Sequence, residues 1–488
     1  MRMKLSIQTT IVTLLVFSCS GGSSKGDRGP DSPGGGNVTT IGMTSSPTFK
    51  TILPVVFGYN TQSIKGPGWD KSEFLSAIDG LNPGNFRYPG GTVGNFWDWK
   101  TGYYNSIGQA VQVITPGSEG PLPYKIEDVK KVYDRTGAEP VYMLNMLTAT
   151  CDDQIAMLKH AQNSGLPVQW IEMGNEYYLD DHPESYNYLT RFPNTTDYTD
   201  SCRIWSAKIK AEFPDSRIAL IGVNHPSSWT GRLRAREWNG IVMQNIQDVQ
   251  FEAMTIHIYA KNALDSPQPY DMIGQVLNHT EQSRVLDASI PAQYPLWITE
   301  YNFEGGSNPF PGQWIHGLAA TIMTAQLVST PRVEMVCFFN LTAGLTASAI
   351  YDNSYTIHGQ TAPKYALSAS GEALKMFSKA QKNATSVASI TFSENPKVPT
   401  QKNGNINTLY GYKFDGVGTK VLVINIGSTQ VHVATDALGF APSSFEQVSA
   451  VSLETPIIGA SSLSRLNLNT DPSKNYITLR PYSITIIK

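Results

Sequence analysis

The sequence predicts the α/β class, specifically a (β/α)8 TIM barrel with a C-terminal β-sandwich domain. Three observations carry this reading. Between about residues 50 and 375, eight short apolar runs alternate with helical patterns. After about residue 380 the helical patterns stop, and strand-like runs follow one another across tight turns. Two of the eight runs lead directly into carboxylates, Glu176 and Glu300, groups that are costly to bury and so mark strand ends.

The elements follow in chain order. Met1-Arg2-Met3-Lys4 is basic, and Leu5–Phe17 is mostly apolar but too short for a permanent membrane helix. Val16-Phe17-Ser18-Cys19 resembles a bacterial lipoprotein cleavage box. This predicts a signal peptide over 1–18, lipidation of Cys19, and an exported protein anchored by lipid to a bacterial cell envelope. Residues 19–48 read as a Gly/Ser/Pro-rich tether with a possible first sandwich strand at Val38–Met43. The barrel is expected over 49–378. Its eight runs are Leu53–Phe57, Asn85–Tyr88, Pro140–Met146, Val168–Met173, Ile218–Val223, Ala253–Tyr259, Leu296–Thr299 and Val333–Phe339. Helical patterns at Asp70–Ile78, Ile126–Arg135, Asp152–Gln162 and Tyr198–Phe213 lie between them. A doubly wound open sheet would favour a Gly-rich phosphate loop after its first strand, and none is present. The sandwich is expected over 379–488. Its strands are Thr408–Phe414, Lys420–Ile426, Val431–Ala434, Ser449–Leu453 and a closing strand within Tyr476–Ile487.

Composition bounds the function classes. The 488 residues exceed one small core. A net charge of −3 leaves no footprint for nucleic acid. The 23 Tyr and 9 Trp provide aromatic faces of the kind that stack on sugars, though such residues also fill cores. Beyond Cys19, three cysteines remain with no Cys/His cluster, so neither a structural zinc nor another metal is expected. Cys337 lies in an apolar run and reads as a core thiol. Cys151 and Cys202 follow strands and are the expected disulfide pair in an oxidising compartment.

The chemistry lies in Trp170-Ile171-Glu172-Met173-Gly174-Asn175-Glu176 and Leu296-Trp297-Ile298-Thr299-Glu300. Glycoside hydrolysis with retention needs a carboxylic acid and a carboxylate about 5–5.5 Å apart. The ends of two strands of one barrel can supply that spacing. Glu172, Gly174 and Glu176 share a strand face, and only Glu176 reaches the C-terminal end.

At these residues the chain resembles the retaining glycoside hydrolases of clan A. The resemblance implies that Glu176, after Asn175 on strand four, is the acid/base, and that Glu300 on strand seven is the nucleophile. Phe86-Arg87-Tyr88-Pro89-Gly90-Gly91 looks like the Arg-x-Pro-Gly-Gly motif of family 51 arabinofuranosidases, and Trp99-Lys100-Thr101-Gly102 follows at a similar offset. The terminal Pro-Tyr-Ser-Ile-Thr strand is similar to that of the sandwich of family 51 and related families 30, 39 and 79. The chain departs from family 51 at Thr299-Glu300-Tyr301, where that family usually has Asp-Glu-Trp, and at Phe338-Phe339, where strand eight often ends in Trp. The resemblance implies a carbohydrate substrate and a hydroxyl contact from Tyr259 to Glu300. The chemistry needs no metal or organic cofactor, and no partner protein is evident in the sequence.

The supporting residues have readings of both kinds. Arg87 is expected to pair with Glu300, and Asn175 to bond the hydroxyl beside the reacting carbon. His257 shares a strand face with Tyr259 and could equally be a satisfied core histidine. Asn145 ends strand three within reach of substrate. Trp97, Trp99, Tyr177 and Tyr178 are sugar platforms or packing residues. Glu172 and Glu304 are rival carboxylates of lower rank. The acid role predicts a raised pKa for Glu176 in the free enzyme. Glycan capture without turnover and transglycosylation are the alternative functions.

Overall fold

A computed structural model describes residues 40–61, 68–104, 123–180, 185–285, 289–345, 348–471 and 473–488. The expected signal peptide, Cys19 and the tether up to Val38 lie outside these residues. Eight parallel strands close a barrel. They are β1 (Phe57–Asn60), β2 (Asn85–Tyr88), β3 (Glu139–Met143), β4 (Trp170–Glu172), β5 (Arg217–Ile221), β6 (Ala253–Ala260), β7 (Leu296–Phe303) and β8 (Val333–Phe338). Each expected run contains or adjoins one of them. The first is displaced: β1 starts where the apolar run Leu53–Phe57 ends, because Gly58 and Asn60 do not read as strand residues.

The helices are α1 (Ser72–Leu81), α2 (Ile126–Thr136), α3 (Cys151–Asn163), α4 (Ser185–Arg191), α5 (Thr195–Glu212), α6 (Leu233–Gln244), α7 (Pro269–Val285), α8 (Trp314–Val328) and α9 (Ala369–Gln381). Several begin at legible caps. The Thr150 side chain accepts from the Asp153 N–H ahead of α3, Asn194 and Asp197 cap each other ahead of α5, and Ser368 caps α9. Among the described residues no helix is long and apolar enough to cross a membrane.

The barrel interior is layered. Val141, Trp170, Ala219, Ala253, Trp297, Met335 and Cys337 form an apolar plug toward the strand starts. Above it lies a polar layer containing Asn85, Arg87, Glu172 and Thr299, all buried. The function is built on this second layer.

The sandwich has two sheets. The larger orders Met43–Ser45, Ala384–Phe392, Leu409–Gly416, Gly418–Asn425, Ser483–Ile487, Ser444–Ser449 and Ser464–Asn469 as neighbours. The smaller pairs Thr40–Ile41, Val431–Ala434 and Tyr476–Leu479. Side chains alternate along Gly418–Asn425: Val421 and Val423 face the smaller sheet, whereas Leu422 and Ile424 join the main core with Phe377 of α9. The expected strand Ser449–Leu453 lies earlier, at Ser444–Ser449. The expected closing strand divides at Arg480-Pro481-Tyr482, so that its halves enter different sheets. The segment after Ser444–Ser449 instead reaches α8. The N–H groups of Trp314 and Ile315 donate to the Thr455 and Leu453 carbonyls at 2.9 and 2.8 Å, satisfying donors that open every helix.

The expected disulfide is not formed; Cys151, Cys202 and Cys337 are free and buried. Cys202 lies on the inner face of α5 rather than just past a strand, and Cys151 opens α3. Burial pushes the Cys202 thiol up to about 12 and the Cys151 thiol up to about 11, as expected of unreactive core thiols.

Candidate active site

Arg87 is the centre of the polar layer. It stands on β2 with no solvent exposure. Its Nε and Nη2 donate to the two oxygens of Glu172 at 2.5 and 2.9 Å, Nη2 also donates to Asn175 Oδ1 at 2.7 Å, and Nη1 donates to Glu300 Oε1 at 2.6 Å. A planar guanidinium can hold three partners in fixed directions, which a lysine cannot do. Glu172 is therefore the buried counter-charge beneath the site.

Glu300 receives three donors. Besides Arg87, the Tyr259 hydroxyl donates to Oε2 at 2.6 Å, and Asn60 Nδ2 donates to Oε1 at 3.3 Å. The pairing of β6 and β7 slips between Ile256 and His257, so that His257 lies opposite Glu300 and Thr299 is passed over. Such a bulge re-aims side chains. Strand β7 also continues through Phe303, so Glu300 sits within it rather than at its last residue.

Glu176 stands four residues beyond β4. The chain turns through Gly174, at φ +86°, where a Cβ would meet the Tyr177 ring at 2.4 Å. Glu176 itself has φ +53°, a left-handed conformation that ordinary residues adopt at a cost and that gathers at functional sites. Its Oε1 accepts the Tyr178 hydroxyl at 3.0 Å and faces His257 Nδ1 at 2.7 Å.

The other face of the His257 ring fixes its protonation. The Thr299 hydroxyl donates its one hydrogen to Glu172 Oε1 at 2.9 Å, so at 3.2 Å it accepts from His257 Nε2. Nε2 thus carries hydrogen, and one further proton lies between Nδ1 and Glu176. Burial acts to raise Glu176, but the His257 charge and hydrogen bond, with Tyr178 and Arg87, outweigh it and hold this carboxyl below its ordinary range. Burial acts to lower His257, but Glu300 and Glu176 outweigh it and raise the imidazole. This corrects the expected raised pKa of Glu176: the proton rests on its partner in an ion pair.

One oxygen of Glu176, one nitrogen of His257 and one oxygen of Glu300 all lie within 4.8 Å of one another. Donor atoms of these kinds can also hold a cation, but here the Arg87 guanidinium already supplies positive charge to Glu300. Glu176, His257, Tyr259 and Phe339 open onto a cleft of about 1300 Å³, with Phe339 packed edge-on to Tyr259.

The structure brings together Glu176, Glu300, Arg87, Asn175, His257, Tyr259 and Tyr178 and leaves other expected residues apart. Tyr177 is fully buried against Tyr188, Phe192 and Tyr198, so it is packing rather than a sugar platform. Trp97 is buried, with its indole N–H on the Tyr124 carbonyl. Trp99 donates to Asp153 of α3 and packs on His160. Asn145 is buried and joins loops, bonding the Trp97 carbonyl, Thr148 and Gln154. Glu304 is exposed on the cleft rim. Asn60 and the proton-positioning Thr299 were not foreseen; a correct end for β1 would have exposed Asn60 as a strand-end polar residue.

No protein-family model matches the chain, and no curated protein does. Solved structures do match its fold. An α-L-arabinofuranosidase from Thermotoga maritima, in complex with arabinose, is 15% identical with a TM-score of 0.61, covering 92% of this chain and 99% of that one. A family 51 α-L-arabinofuranosidase from Bifidobacterium longum is 12% identical with a TM-score of 0.65, covering 92% and 98%. A 4-O-α-L-rhamnosyl-β-D-glucuronidase from Fusarium oxysporum is 14% identical with a TM-score of 0.60, covering 92% and 100%. The chain shares the fold of these solved structures over 92% of its length.

Proposed function

We propose that the protein is a glycoside hydrolase that cleaves an oligosaccharide or polysaccharide with retention of configuration. One observation carries the reading: Glu300 on β7 and Glu176, just beyond β4, face each other within 4.8 Å, one fixed by Arg87 and Tyr259 and the other paired with His257. Such proximity supports retention, for which the carboxyl groups stand about 5–5.5 Å apart, over inversion, for which they stand about 6.5–9.5 Å apart.

In this reading Glu300 attacks the anomeric carbon. Glu176 receives the proton shared with His257 and passes it to the leaving oxygen, and the C–O bond breaks as the glycosyl–Glu300 ester forms. Glu176 then takes a proton from water, which displaces Glu300 from the anomeric carbon. Asn175, held by Arg87, stands beside the reacting carbon to bond the neighbouring hydroxyl. The lipid anchor on Cys19 would place this activity at the cell envelope.

Glu300→Ala should abolish turnover of every substrate. Glu176→Ala should lose about 10²–10⁴-fold on natural linkages. On aryl glycosides with good leaving groups it should stall at the glycosyl-enzyme, and azide should rescue it to a glycosyl azide of retained configuration. Inverted first products in a time-resolved NMR assay would overturn the proposal.

A further inference from the structure

A second cavity, of about 530 Å³, lies in the seam between barrel and sandwich and shares no lining residue with the cleft at Glu176. Its barrel side is the start of α7, with Tyr270 and Asp271, preceded by Gln268 of the β6–α7 loop. Its sandwich side is the turn at Thr400-Gln401, the segment Ser452–Glu454 and Tyr482. The hairpin of Lys397–Pro399 and Asn405–Asn407 is clamped onto α7. The Gln401 N–H donates to Asp271 Oδ1 at 2.5 Å, and Asn403 Nδ2 donates to Gln275 Oε1 at 3.3 Å. Gly274 permits this fit, since a Cβ there would meet Asn403 Nδ2 at 3.0 Å and Thr400 at 3.2 Å. Both tyrosines are fixed as well. The Tyr270 hydroxyl donates to the Ile426 carbonyl at 3.2 Å, and the Tyr482 N–H donates to the Gly427 carbonyl at 3.2 Å. Asp271 is buried, and its Oδ2 has no hydrogen-bond partner among the described residues. A buried acceptor of this kind is costly unless a donor reaches it.

We propose that this seam cavity is a second carbohydrate site, which takes an uncharged sugar of a polymeric substrate held at the same time in the active cleft. The site goes beyond the glycosidase reading and rests on it for the choice of a sugar. Two half-buried tyrosine rings offer apolar faces to a sugar ring, and the amides and carboxylates around them match its hydroxyls. Charge selects against acidic sugars: Asp271 and Glu454 line the cavity, and no Lys, Arg or His does. Because barrel and sandwich fix the walls in advance, little freedom is lost on binding. The two sites also share a loop. Leu264 lines the active cleft and Gln268 lines the seam, so at most about 14 Å of backbone separates them. One glycan chain can lie across both.

The test uses the full chain carrying Glu300→Gln, so that polymer is bound and not cut, in affinity electrophoresis through arabinan, arabinoxylan, mixed-linkage β-glucan and polygalacturonate. At least one of the three neutral polymers should retard the protein, and polygalacturonate should retard it less. Adding Gln401→Ala and Glu454→Ala together should weaken that retardation about fivefold, the effect of losing one net hydrogen bond. Both residues are exposed, and equal melting temperatures establish that the variants are folded. Val417→Ala, exposed on another hairpin of the sandwich, should leave the retardation unchanged. No retardation by any neutral polymer, retardation indifferent to the double substitution, or retardation by polygalacturonate as strong as by the neutral polymers would overturn the site. A calcium-dependent rise in melting temperature that the double substitution removes would also overturn it, because the carboxylates would then serve a cation. Turnover is scored separately with Glu300 intact, on aryl glycosides and the same polymers. Cleavage of glycans with retardation indifferent to the double substitution would overturn the site and leave the glycosidase standing. Retardation that depends on Gln401 and Glu454, without cleavage of any glycan, would do the reverse.

Discussion

Arg87 couples three side chains whose separate positions would otherwise be unrelated. Removing it leaves Glu172 and Glu300 as buried carboxylates without their shared cation. Arg87→Ala should therefore cost about 3–5 kcal/mol of stability as well as activity, and Arg87→Lys should recover part of the stability but little of the activity. Chemical denaturation alongside kcat/KM would separate the two losses, and an undiminished stability would refute this role. The His257–Glu176 pair makes a pH-dependent prediction. His257 has a folded pKa above its unfolded 6.5, so its contribution is full below pH 6.5 and is lost as pH rises through the folded value. Glu176 has a folded pKa below its unfolded 4.5, so its contribution is present above pH 4.5 and is lost as pH falls through the folded value. The stability difference between the native protein and His257→Gln should be greatest between pH 4.5 and 6.5 and shrink on either side. The buried His316, lowered to about 4, titrates in the opposite sense but equally in both proteins, so it cancels from the difference. A difference independent of pH would mean that the pair is not ionised. At this scale the strand-borne groups Arg87, Glu300, His257 and Tyr259 were legible, because alternation along a strand tells which residues share a face. Tyr177, Trp97 and Asn145 were not. An aromatic or amide just past a strand looks the same in sequence whether it faces a cleft or a neighbouring loop.

Elements position the site through local departures from regularity. The bulge between β6 and β7 sets His257 opposite Glu300, and the left-handed turn at Gly174 carries Glu176 off β4 toward it. Gly174→Ala would force a side chain against the Tyr177 ring in a conformation that disfavours it. A loss of about 1–3 kcal/mol is expected, with a fall in kcat larger than the rise in KM because Glu176 moves. Thermal melting and steady-state kinetics would check both, and unchanged kcat would show that the turn is not what aims Glu176. The barrel rhythm was legible because parallel strands buried on both faces read as apolar runs. The end of β1 was obscured by Gly58 and Asn60. The division of the last strand was obscured because Tyr476–Leu479 and Ser483–Ile487 are both rich in β-branched residues, although they join different sheets.

At the scale of the whole molecule, one continuous apolar core runs from the barrel through α8 and α9 into the larger sheet of the sandwich. Buried Glu372 on α9 pairs with Arg465 of the sandwich, and the Trp314 indole N–H donates to the Tyr482 carbonyl at 2.8 Å. Barrel and sandwich should therefore unfold in a single calorimetric transition, and removal of residues 383–488 should leave the barrel unable to fold. Two separate transitions, or a soluble and active truncated barrel, would refute this.

The meeting of Trp314 and Ile315 with the Leu453 and Thr455 carbonyls has a consequence for recombination. Carbohydrate-active proteins are often treated as catalytic cassettes with interchangeable appendages. Here the appendage terminates a helix of the cassette. A chimera joined in the connection after α9 would inherit a helix whose opening donors have lost their acceptors, however well the foreign sandwich folds. A crossover that keeps the Leu453–Ile457 loop with α8 is the one that preserves both halves.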